Sequence, residues 1–201
     1  KAMARPTDAL RSYEEALSHF ESLSKLDSKD LSLRKTTSLA RTNVGEVYNL
    51  LGQPREALLV LEHALPEFRQ MRAADPRDGS LPFLVAYALI VMGESHLQLK
   101  EFAAAARRFD EAVPLVDPKV TATDPELGIM QAGLYAGIAR ARVGLADSAA
   151  SPAGRANARR QAERDGERAL HMLEPFARLQ HTASDANVRI EALRADFGWS
   201  R

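Results

Sequence analysis

Histidines, neighbouring carboxylates and a run of arginines are the residues of this chain whose types could carry chemistry. The five histidines are His19, His63, His96, His171 and His181. A metal site on a helix needs ligands three or four residues apart, with a third group converging on them. Even the nearest pair, His171 and His181, is too widely spaced for that. Glu14-Glu15 and Asp110-Glu111 are neighbouring acids of the kind that can share acid–base work, yet each pair lies on an otherwise polar stretch that keeps carboxylates solvated. The chain has no cysteine, which removes thiolate nucleophiles, thiolate metal sites and disulfides together. No serine stands in a nucleophile-elbow context. The expectation is a chain with no catalytic residues, no metal and no cofactor.

The arginines carry a different kind of chemistry. Arg155, Arg159, Arg160, Arg164 and Arg168 form a stripe that could attract phosphate, but Glu163, Asp165 and Glu167 are interleaved with them. Alternating signs predict an exposed helix laced with salt bridges. The whole chain is balanced as well, with 27 basic and 27 acidic residues. Nucleic acid and anionic membranes both require a positive surface, so neither is expected as a partner. A hydrophobic content of 45% is enough to build a core. The longest apolar stretch, 83–93, is too short to cross a bilayer, so no membrane insertion is expected within this segment.

The elements that would position these side chains follow from a repeat of 48 residues. Gly45, Tyr48, Gly52, Ala57, Leu61 and Ala64 recur at the same spacing as Gly93, His96, Lys100, Ala105, Phe109 and Ala112. Ala9, Tyr13 and Ala16 match Ala57, Leu61 and Ala64 one period earlier, and Pro66 matches Pro114. Each copy holds two helical stretches. Ala57, Leu58, Leu61, Ala64, Leu65 and Phe68 fall on one helical face, as do Ala40, Val44, Val47, Tyr48 and Leu51 upstream. Gly52-Gln53-Pro54 marks the turn between them, because glycine accepts a left-handed backbone at a helix end and proline suits the next first turn. Asp75-Pro76 closes the pair. The small residues let antiparallel helices approach while Tyr48, Leu61, Phe102 and Phe109 fill the space alongside.

The third copy is irregular. Asp124-Pro125-Glu126 is a capped helix start, and its helix is expected to run through Tyr135 and Gly137 to Gly144. A loop at 145–154 then leads to a long helix ending near Leu179. A last helix, Asp185 to Gly198, resembles the first helix of a fourth copy. Pro66 and Pro114 lie inside helical stretches, so a kink or early end is predicted at both. The resulting organisation is one helical-repeat domain over 1–201: a partial repeat at 1–28, repeats at 29–76 and 77–124, an irregular repeat at 125–183 and a terminal partial repeat at 184–201. Opening and closing in mid-repeat, the chain is expected to be a piece of a longer protein.

Gly-x2-Tyr, then alanine, an aromatic or leucine, alanine and Asp-Pro resembles the tetratricopeptide (TPR) repeat, most clearly over 36–116. The period of 48 departs from that family's usual length, and Arg41 and Leu89 stand where an aromatic is common. The long period, with Ala73 to Pro76 reading AADP, is similar to the arrays that follow the kinase domain of some bacterial serine/threonine kinases. Nothing of a kinase accompanies it. Asp196-Phe197-Gly198 spells one kinase triplet without its companion motifs and reads as a helix closed by glycine.

The resemblance implies an all-α superhelical solenoid of antiparallel helix pairs, about three repeats with partial repeats at both ends. It also implies a concave face lined by the first helix of each pair. On this chain the face comprises Thr42, Asn43, Glu46 and Asn49; then Tyr87, Glu94 and Gln98; then Gln131, Tyr135 and Arg142. Leu39, Ile90, Val91, Leu134 and Ile138 lie beside them. The expected function is a non-catalytic scaffold that binds a protein or peptide there, as the docking or regulatory region of a bacterial signalling kinase; the alternative is a sensor of a small molecule or short peptide. The Lys/Asn/Arg clamp of chaperone-binding members is missing. Packing between neighbouring repeats is the competing role for these same residues. Exposed repeat ends lead to an expectation of self-association, or of a terminal helix that covers one end. The expected location is cytoplasmic, with the extracytoplasmic part of a membrane-anchored kinase as the alternative.

Overall fold

A computed structural model describes residues 6–116, 124–148, 151–178 and 183–199, and every described element is helical. Sequential helices pack as antiparallel neighbours in two compact units, divided between Leu99 and Lys100.

The first unit contains α1 (Pro6–Leu26), α2 (Leu31–Leu50), α3 (Pro54–Ala74) and α4 (Ser80–Gln98). Asp30 caps α2 by accepting the Leu33 N–H. Gly52, with φ +70, closes the α2–α3 turn, and Pro54 opens α3. Asp75 ends α3, as its proline neighbour predicts. The core is the repeat face itself: Ala57, Leu61, Ala64 and Phe68 of α3 are fully buried, and Val44 and Val47 of α2 and Val85 and Leu89 of α4, the helices packed on α3, are buried as well. Ion pairs at half-buried rims hold the helices in antiparallel register. Arg34 of α2 meets Glu67 of α3 at 2.7 Å, and Arg41 of α2 meets Glu21 of α1 at 2.9 Å. Helix α4 is long and apolar enough to cross a membrane by length and composition, but 56% of its most apolar window is buried within the fold. That makes it a core helix here, apolar nearly all round because neighbours surround it.

The second unit contains α5 (Phe102–Ala112), a 3-10 turn (Val113–Leu115), α6 (Pro125–Asp147), α7 (Pro152–Leu173), a second 3-10 turn (Phe176–Arg178) and α8 (Ala183–Phe197). Asp124 caps α6 through the Glu126 and Leu127 N–H groups, and Ser151 caps α7 through that of Gly154. Lys100, one period after Gly52, adopts the same left-handed backbone at φ 60.

Helix packing in this unit uses aromatic rings set against glycines. Phe109 of α5 covers Gly137 of α6, and one turn-pair away Phe102 covers Gly144. On α7, Gly166 lies under Trp199 and Phe197, whose rings stack at 4.8 Å. Each glycine lets a ring sit where a methyl group would stand, so the helix axes come close.

Two expectations need correction, and of the kink or early end expected at Pro66 the early end is absent. Pro66 does not end α3, which runs on through it to Ala74. Leu65, Phe68 and Met71 are all buried around an exposed Pro66, so burial beyond the proline outweighs the missing hydrogen bond. At Pro114 the expected early end is present: α5 stops at Ala112 and tightens into a 3-10 turn, and only Val116 is buried beyond. Helix α6 passes Gly144 and continues to Asp147, carrying buried Ala146, so the first part of the 145–154 loop is helical. Helix α7 ends at Leu173 rather than near Leu179, because Pro175 has no N–H to donate to the carbonyl four residues back. The last helix ends as expected, at Phe197, with Gly198 left-handed at φ +65.

Candidate binding surface

The ten residues assigned to the concave face fall into two groups, one in each unit. In the first unit they form polar rungs between α2 and α4, which run parallel. The Tyr87 hydroxyl donates to Glu46 Oε2 at 2.7 Å and approaches Asn43 Oδ1 at 3.2 Å. Two turns along, Asn49 Nδ2 donates to the Val91 carbonyl at 2.9 Å, and Asn49 Oδ1 accepts from Ser95 Oγ at 2.9 Å. Gln98 Nε2 reaches back to the Asn49 carbonyl at 3.0 Å. These bonds fix the offset between successive first helices. They also leave Asn43, Glu46, Asn49, Tyr87 and Glu94 half-buried and Gln98 exposed. Thr42 is different. It is wholly buried, its hydroxyl bonded to the Ser38 carbonyl, so it offers nothing to a ligand.

In the second unit Gln131 and Tyr135 are buried, at 3% and 8% exposure. Arg168 of α7 lies over the Tyr135 ring at 4.0 Å, a cation–π contact. Arg142 pairs with Asp165 of α7. Burial pushes the Asp165 carboxyl above its ordinary range, while the Arg142 guanidinium pulls the other way. Tyr135 and Arg142 are thus spent on joining α6 to α7, and Gln131 is buried beside them on α6. Helices α6 and α8 run parallel, tied by Arg140 to Asp196 at 2.6 Å.

Several polar residues outside the expected set also join helices. Tyr48 donates to Glu14 of α1 at 2.7 Å, and that bond pushes its phenol up to about 12. Asp78, just before α4, is held down at about 2 by hydrogen bonds from Ser80 and then Lys35 of α2. Tyr48 was visible as a repeat position, but its acceptor lies in another copy, where no local spacing announces it.

The arginine stripe on α7 is largely exposed. Arg159 pairs with Asp147 at 2.9 Å, in keeping with a salt-bridge-laced helix. Glu15, Asp110 and Glu111 are exposed, while Glu14 is the acceptor for Tyr48. His19, His63 and His171 are exposed and His96 is half-buried; His181 lies outside the described residues. Among the described residues no three metal-ligating side chains cluster.

The class of protein defined by this geometry is an all-α chain of sequential antiparallel helices, with parallel rows of polar rungs between alternate helices. No family model, no curated protein and no solved structure matches the chain.

Proposed function

We propose that this chain is a TPR-type solenoid and a non-catalytic scaffold, which binds a partner protein or peptide along the row formed by α2 and α4. The observation that supports this most is the state of that row. Asn43, Glu46 and Tyr87 are ordered by rungs within the unit yet remain partly open to solvent, beside half-buried Glu94 and exposed Gln98. An ordered strip of amide, carboxylate and phenol groups can read the backbone of an extended peptide, or the polar edge of a helix, at little cost in side-chain ordering. The cytoplasmic docking region of a bacterial serine/threonine kinase is the setting proposed for it, on the resemblance carried by the 48-residue period and the Ala73 to Pro76 segment.

Peptide display on the immobilised full chain tests the proposal. Enriched peptides are expected to lose about tenfold or more in affinity, roughly 1.4 kcal/mol, when Tyr87→Ala or Gln98→Lys is introduced. Leu59→Lys, at an exposed position on α3, should leave them unaffected. Peptides that ignore Tyr87 and Gln98 would move the binding surface elsewhere.

A further inference from the structure

Half-buried carboxylates between the helices of this chain are closed by cations. Arg41 of α2 closes Glu21 of α1, and Arg34 of α2 closes Glu67 of α3. Lys35 of α2 closes Asp78 ahead of α4, and Arg142 of α6 closes Asp165 of α7. Glu46 departs from that pattern. It is half-buried on α2, and its Oε2 accepts from the Tyr87 hydroxyl of α4 at 2.7 Å. Among the described residues no cation pairs with it. A carboxylate offers roughly four acceptor sites, and the phenol takes one. Drawing such a group out of water without a counter-charge costs free energy, and the fold supplies none.

Glu46 does not lie on the side where another repeat would pack against α2. Helix α4 reaches α2 with the side chains of Tyr87, Ser95 and Gln98. One period earlier these positions are Leu39, Val47 and Leu50. A first helix one period ahead of α2 would by the same register meet those three. Glu46 belongs instead to the side of α2 that faces α4, so its missing counter-charge is a property of the row itself.

We propose that the α2–α4 row selects a partner segment bearing an arginine, whose guanidinium pairs with the remaining acceptor sites of Glu46. The selection rests on the row being a binding face, as proposed above, and fixes one charge of its ligand. Arginine suits a partly desolvated carboxylate better than lysine does. Its guanidinium is more weakly hydrated than an ammonium and can offer two parallel N–H groups. The chain makes the same choice at Glu21, Glu67 and Asp165.

The test uses the peptides enriched by display on the immobilised full chain. These are expected to share an arginine at one position, and each is resynthesised with citrulline there, which keeps the shape and loses the charge. The arginine form should bind the parent chain about tenfold or more tighter than the citrulline form. In Glu46→Gln the two forms should come within about twofold of each other. Glutamine still offers an oxygen to the Tyr87 hydroxyl, so the rung stays in place and the lost discrimination reports the charge alone.

Enriched peptides without a shared arginine overturn the selection, as does a citrulline loss that persists undiminished in Glu46→Gln. Lysine serving as well as arginine at that position overturns it too. The two readings fail separately. Peptides that need Tyr87 and Gln98 but ignore the charge of Glu46 keep the row as a binding face and remove the arginine. Peptides indifferent to Tyr87 and Gln98, or no enriched peptide at all, remove both.

Discussion

The two units solve one problem, keeping neighbouring helices in register, by different means. In the first, the nearest atoms to a methyl group on Gly45 would be Cγ and Cδ1 of Leu61 and Cγ2 of Val60, at 3.0 to 3.3 Å. In the second, a methyl group on Gly137 or Gly144 would stand within 3.0 Å of three ring atoms of Phe109 or Phe102. A contact of that length needs the leucine to give by only a few tenths of an ångström, whereas the rings would have to move bodily. The first unit instead spends hydrogen bonds on register, through Tyr87 to Glu46 and Asn49 to Ser95. The second relies on fitted shapes and on ion pairs such as Arg140 to Asp196. Shape-based register does not bend to substitution, while rung-based register can absorb it.

The largest effect expected from this contrast is at Phe109. Phe109→Ala removes a fully buried ring and should cost about 3–5 kcal/mol in chemical denaturation. A loss below about 1 kcal/mol would mean that the Phe109–Gly137 contact does not organise the second unit.

Adding a methyl group separates the units more sharply. Gly144→Ala should destabilise by about 1–3 kcal/mol through overpacking against Phe102, with part of the loss recovered in the double variant with Phe102→Leu. Gly45→Ala should fall within about 1 kcal/mol of the parent, since the helix-propensity gain of alanine offsets the displacement of Leu61. Equal losses at both sites would erase the distinction between the units.

The smallest effect concerns the rung from Tyr48 to Glu14. Because its phenol is raised from 10.0 to about 12, the folded state favours the protonated form. Its stabilising contribution is complete below pH 10 and fades as pH rises through about 12. Absorbance titration should show the Tyr48 phenol ionising late, and Glu14→Gln should bring that step down towards 10. A titration unchanged by Glu14→Gln would remove the rung.

Much of the fold was legible because its signals are local. Caps at Asp124, the Gly52 and Pro54 turn, and the buried stripe of α3 each depend on residues within a few positions of one another. That α3 runs on past Pro66 was not legible, since it turned on the burial of Phe68 and Met71 in the core beyond it. The surface residues divided in the same way. The resemblance assigned Thr42, Gln131 and Tyr135 to a binding face and they are buried, since whether a half-polar side chain faces water or a neighbour depends on that neighbour's rotation. Spacing within one helix says nothing of that. The partner of Arg142 illustrates the point: Asp165 belongs to the arginine stripe, and the sequence offered it equally to solvent.

Lys100 repeats the backbone of Gly52 without glycine's freedom. An L-residue with a side chain gives up roughly 1 kcal/mol to stand in that left-handed corner. Lys100→Gly would lift that cost, a reserve of stability that the earlier copy already holds at Gly52.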